Sequence, residues 1–165
     1  MKITRELLKK YSACTSGYNW FIHQNETDHE KFIDLLMNDN HFDWANWLIV
    51  RLMNKKQKVQ YAVFAAEQVI DIYEKKCPDD NRPRKAIEAA KKYIDNQTRA
   101  NKDATVYTAA DAYAAANAAY AAANAADAAA YTTAVYTAAD AAYAAVNADS
   151  KLEEIIIKFG LELLK

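Results

Sequence analysis

"KKQKVQYAVFAAEQVIDIYEKKCPDDNRPRKAIEAAKKYI", residues 55–94, decides the fold class. Val59, Val63, Ala66, Ile70 and Tyr73 recur at intervals of three and four, the period of one helix face. The pattern predicts an amphipathic helix that stops before Pro78. The chain then restarts. Asp80 or Asn81 can cap a second helix. Pro83 fits its first turn, where a missing N–H costs nothing. Ala86, Ala89 and Ala90 follow on one face of that helix and leave it thin enough for close packing.

The same grammar extends in both directions. Thr4 can cap "RELLKKY", and "SACTSG" at 12–17 is a break. A helix carrying Trp20 and Phe21 follows. Asp28 precedes "HEKFIDLLMN", "NDN" at 38–40 reads as a turn, and "FDWANWLIVRLMN" places Trp44, Trp47, Leu48, Arg51 and Leu52 at helical spacing. "SKLEEIIIKFGLELLK" closes the chain as an amphipathic helix. With 2 glycines and 2 prolines in 165 residues there is little turn chemistry for a sheet. The expectation is an all-α fold in a single helical domain of about seven or eight helices. Its segments are an N-terminal helical part (1–40), amphipathic helices (41–103), Ala/Tyr-rich helices (104–148) and a C-terminal helix (149–165).

Composition excludes several functions. Lys+Arg number 21 and Asp+Glu 22, a balance that argues against general nucleic-acid binding. No window approaches the roughly 20 apolar residues of a membrane span, and the polar N-terminus has no apolar signal core. Cys14 and Cys77 are too few for a disulfide scaffold and read as free buried thiols in a reducing cytoplasm. A soluble protein of the bacterial host cytoplasm is expected, without a membrane partner.

The segment from Ala104 to about Ala148 is the most unusual. Between Asp103 and Lys151 its only charges are Asp111, Asp127, Asp140 and Asp149. As one helix it would extend ~65 Å, about twice the width of a small domain. "VYTAADA" occurs at 106–112 and again at 135–141. This repeat predicts two antiparallel helices broken near Tyr131–Val135, with a bent continuous helix as the alternative. Tyr113, Asn117, Tyr120, Asn124, Asp127 and Tyr131 follow one another at alternating steps of four and three, a heptad seam on one face. Three uses of that seam stay open, one of them a flat protein-binding face. It can be a packed polar seam whose rings fill space between alanine walls. It can instead line a groove in which Tyr stacks, Asn pairs and Asp orients a polar ligand. Alanine faces beside it invite contact between chains, so a homo-oligomer is expected. An ice-binding face would need threonine at a steady period, and Thr105, Thr108, Thr132, Thr133 and Thr137 have none.

Catalytic signals are weak. His23, His29 and His41 have no companion at i+3 or i+4 to complete a metal pair, and there is no Cys-x-x-Cys. No phosphate-cradling glycine loop and no nucleophile elbow occur. The chain reads as no enzyme, with no metal and no cofactor. Arg82 and Arg84 flank a helix start, where free N–H groups attract anions. They are candidate phosphate ligands, and the simpler account is that they neutralise neighbouring aspartates.

"CPDDNRPRKAIEAAKKYI" at 77–94, followed by alanine units carrying Tyr and Asp, resembles the immunity proteins encoded beside bacterial polymorphic toxins. The shared motif runs from Asp80 to Ala90, and the resemblance covers roughly residues 44–148. It implies a non-enzymatic protein that neutralises a toxin or host defence component by binding, and it transfers no catalytic residue. The front stretch "LLKKYSACTSGYNWF" is similar to the start of many phage and bacterial proteins with a Cys-x-x-Gly-x-x-Trp-Phe pattern, which suggests a phage or mobile-element copy. Such a copy would act in counter-defence. It would mask an immune protein or, alternatively, sequester a small nucleotide signal such as a cyclic oligonucleotide or ADP-ribose derivative, between Tyr113–Tyr131 and Arg82 or Arg84.

Overall fold

A computed structural model describes residues 1–68, 70–76, 78–101, 103–105, 107 and 150–165. The fold is all-α. The helices with printed bounds are α1 (Arg5–Lys10), α2 (Thr15–Ile22), α3 (His29–Asn38), α4 (Phe42–Leu52), α5 (Lys55–Glu67), α6 (Ile70–Lys76), α7 (Arg82–Asp95) and α8 (Ser150–Leu164). Among the described residues β structure amounts to an isolated antiparallel bridge between Lys2 and Asp28. The chain divides into two compact units, Met1–Met53 with Ile157–Lys165, and Asn54–Ile156.

In the first unit, local chemistry sets the helix ends. The Thr4 hydroxyl accepts the Leu7 N–H at 3.2 Å and starts α1. Asp28 accepts the N–H groups of Glu30 and Lys31 and starts α3. At the other ends the backbone turns left-handed at Ser12 (φ 55°) and Asn40 (φ 59°). After each, an N–H reaches back to the preceding helix, Ala13 to Leu8 O (2.9 Å) and His41 to Leu36 O (2.8 Å). These closures satisfy carbonyls that a helix end otherwise strands. α3 packs on α4. Ile33, Leu48 and Ile49 are fully buried, and Phe21, Phe32 and Leu36 nearly so. Each such side chain contributes about 1.5–3 kcal/mol by leaving water.

In the second unit, α5 begins with a complete capping box: Asn54 Oδ1 accepts the Gln57 N–H at 3.0 Å, and Gln57 Oε1 accepts the Asn54 N–H at 2.8 Å. The sequence pattern calls for one helix from Lys55 towards Cys77; the chain forms two. α5 ends at Gln68, whose N–H is shared between the Phe64 and Ala65 carbonyls while its side-chain amide also donates to Phe64 O. A side chain that competes for the ladder's own acceptor weakens helix propagation. The buried face also differs from the expected stripe. Val63 and Ile70 are buried, as are Tyr61 and Ala65, whereas Val59 and Ala66 are half-buried. Burial pushes the Tyr61 phenol well above its ordinary range.

α7 packs along α5. Ala90 is buried there and Ala86 and Ala89 are half-buried, as the small-residue face requires. Lys91 pairs with Glu67 across the two helices. Beyond α7, Asn101 donates its side-chain amide to the carbonyls of Lys92 (3.3 Å) and Asn96 (2.8 Å), and Thr105 Oγ1 donates to Ala89 O at 3.2 Å. These bonds tie the chain around 99–105 to the end of α7.

Candidate functional site: the arginines at the start of α7

Asp80, Asn81, Arg82 and Pro83 build the N-terminus of α7. Asn81 occupies the cap position but makes no side-chain cap bond. Asp80 does that work. Its Oδ1 accepts the Arg82 N–H at 3.0 Å, and the same carboxylate takes the Arg82 guanidinium in a fork, Nε to Oδ1 at 2.8 Å and Nη2 to Oδ2 at 2.9 Å. Parallel bonds of this kind are the most specific an arginine makes.

Arg84 lies two residues further and points back to α6. Its Nη2 donates to Glu74 Oε2 at 2.7 Å and reaches Asp71 Oδ1 at 3.4 Å, and its Nε donates to Glu74 Oε1. That hydrogen bond holds the Glu74 carboxyl below its ordinary value, and Glu74 in turn raises the guanidinium's. The pairing crosses the Pro78 turn and fixes α6 against the start of α7.

The two arginines therefore stand where the sequence places them, and intramolecular carboxylates already occupy the positions that an anion would take. Asp80 covers the first-turn N–H and Arg82, while Glu74 and Asp71 cover Arg84. Neutralisation by local carboxylates accounts for both residues, with the difference that Arg84 selects α6 over Asp79 or Asp80. The rest of the candidate binding set, Tyr113, Asn117, Tyr120, Asn124, Asp127 and Tyr131, lies outside the described residues. So do the break near Tyr131–Val135 and the antiparallel pairing expected of the Ala-rich helices.

Sequence reading missed a groove in the first unit. It has a volume of about 300 Å³ and is walled by α1, the α1–α2 connection, α2, α3 and α4. Trp44 and Trp47, expected as helix-face residues, line it together with Gly17 and Asp43. The signal was present as the tryptophan pair at i and i+3 beside an acid, but only the approach of α2 makes it a concavity. Among the described residues no three His, Cys, Asp or Glu side chains gather as a metal site, and no helix is long and apolar enough to cross a membrane.

Comparison with known families adds two findings. Residues 1–56 match the model described as the YdhT N-terminal domain. Residues 48–152, more than half of the chain, match the model described as Imm-5 like putative immunity protein. No curated protein and no solved structure matches the chain.

Proposed function

Because the chain belongs to the Imm-5 like immunity protein family, we propose that it neutralises a toxin or a host defence component by binding it, without turning over a substrate. The observation that carries this reading is the family match over residues 48–152, which contains the whole α5–α7 assembly and the Tyr/Asn seam. Tyr113, Asn117, Tyr120, Asn124, Asp127 and Tyr131 would supply the contact surface. Tyrosine offers large, rigid, amphipathic contact area, and aromatic residues are enriched among those that dominate interface energies. A phage or mobile-element copy would use the same surface against a host defence protein.

The arginines favour a protein target over a sequestered nucleotide. A nucleotide phosphate at Arg82 or Arg84 would have to displace Asp80 or Glu74 from bonds of 2.7–3.0 Å. A protein target needs no such exchange, since the fork bonds simply rigidify the scaffold that presents the surface.

Protection is the test. A bacterium expressing a candidate toxin or defence protein is grown with and without the chain. Rescue that requires at least stoichiometric chain, with a stable complex on size exclusion and chemically unaltered toxin, supports neutralisation by binding. Rescue at substoichiometric levels with a modified toxin overturns it. A thermal-shift screen with cyclic oligonucleotides and ADP-ribose derivatives separates the sequestration alternative, because a ligand at one hundred times its dissociation constant stabilises by about 2.7 kcal/mol.

A further inference from the structure

Gly17, in the first turn of α2, lines the groove of the first unit. Gly17 lies in α2 with no positive φ. A Cβ there would meet Trp44 ring atoms at 3.6–3.7 Å, ordinary contact, and would crowd at 3.3 Å the Cys14 Sγ that accepts the Gly17 N–H, a thiol that is exposed where the sequence reading has it buried. Glycine contributes no side chain to the groove wall. Its effect here is to leave open the space between α2 and α4.

That space has a definite chemistry. Phe21, Phe32, Leu36 and Leu48 are its buried lining, and the half-buried Trp44 and Trp47 stand nearer solvent. Asp43 is exposed, and it is the only carboxylate among the lining residues, which include no lysine or arginine. Among the described residues Asp43 has no ion-pair partner. The nearby cations are engaged elsewhere: Arg51 lies 4.6 Å over the Trp47 ring and donates to Trp47 O, and Lys9 lies 5.9 Å from the Tyr18 ring centre. A volume of about 300 Å³ is at the lower end of small-ligand pockets. A single carboxylate at the rim of an otherwise apolar groove selects a cation over a neutral or anionic ligand.

We infer that this groove is a binding site for a small organic cation, an ammonium carried on an aromatic or alkyl body. The body fills the apolar trough beside Gly17, and the ammonium sits at the rim against Asp43; the Trp47 ring carries Arg51 and the Trp44 ring is stacked on His41, so both indoles serve as apolar wall. Placement in the first turn of α4, where an acid also complements the helix dipole, explains an acid at Asp43 but not the open trough beside it. The site lies in the first unit and does not depend on the immunity reading.

Titration of the intact chain with three isosteric probes decides the matter. Phenethylammonium, neutral 2-phenylethanol and anionic 3-phenylpropionate are added while the tryptophan indole N–H signals are followed by NMR. Phenethylammonium should bind about two- to fivefold more tightly than the alcohol, the worth of an exposed ion pair. The anion should bind most weakly. Asp43→Asn should erase the advantage of the ammonium over the alcohol while leaving the alcohol's affinity alone. Gly17→Leu should abolish binding of all three with circular dichroism unchanged; should that variant not fold, the wild-type ranking and Asp43→Asn decide alone. Equal affinity for the ammonium and the alcohol overturns the inference, as does the absence of any shift of the Trp44 and Trp47 signals at millimolar probe.

Discussion

Arg84 on α7 holds Glu74 on α6 by a bond of 2.7 Å from Nη2 to Oε2, with a second donated by Nε, across ten residues and a proline turn. α6 is short, and a helix of seven residues has little stability of its own. The fork adds to the burial of Ile70 in holding it. Arg84→Ala should lower hydrogen-exchange protection of the α6 amides several-fold while leaving α3 and α4 unchanged. Arg84→Lys should restore only part of it, because an ammonium cannot make the two parallel bonds. Equal protection in wild type and Arg84→Ala would show that α6 is held by packing alone.

The same pair makes stability depend on pH with a definite sign. The Glu74 carboxyl lies below its ordinary value of 4.5 because Arg84 hydrogen-bonds the charged form. Asp28 lies below its ordinary 3.8 chiefly because the Lys31 N–H does the same. A group lowered in the folded state contributes stability above its unfolded value and loses it as the pH falls through the folded one. The melting temperature should therefore fall on acidification from about pH 5 towards pH 3. Glu74→Gln should flatten that limb, and the difference between the two proteins should be largest near neutrality and shrink in acid. Parallel acid limbs would remove Glu74 from this role.

Asn54→Ala dismantles the capping box that opens α5. The Gln57 N–H loses its partner, while the backbone N–H of residue 54 can still reach Gln57 Oε1, so the cost should be about 1 kcal/mol. Urea unfolding measures it directly. Asn54→Asp should retain most of the stability, since the carboxylate accepts the same Gln57 N–H and suits the helix start.

Ser12 and Asn40 both adopt positive φ at the ends of α1 and α3. Left-handed backbone costs an L-residue about 1–2 kcal/mol, and glycine gives back part of that gain through its greater freedom when unfolded, about 0.5–1 kcal/mol. Ser12→Gly should thus stabilise by about 0.5 kcal/mol. Asn40→Gly should gain less, because asparagine tolerates this conformation. Ser12→Val should destabilise, and equilibrium unfolding of the three variants orders them.

Sequence by itself determined what short-range chemistry controls. Thr4 and Asp28 are legible as caps because each bonds an N–H two or three residues away. The all-α class follows from apolar residues at steps of three and four and from the scarcity of glycine and proline. Even the Asp80–Arg82 fork is local, two residues apart. The tertiary structure decided what depends on the path between elements. Periodicity continued through Gln68, yet the competition of its amide for Phe64 O, together with packing that buries Tyr61 and Ala65, ends α5 there. Arg84 had Asp79 and Asp80 closer in sequence, but the turn at Pro78 presents Glu74 and Asp71 to it, and a forked guanidinium bonds the carboxylate whose geometry fits. The groove at Gly17 needed the same kind of information. A missing side chain in α2 and two indoles in α4 become one concavity only when the helices meet, because shape is a property of the packed surfaces and of neither helix alone.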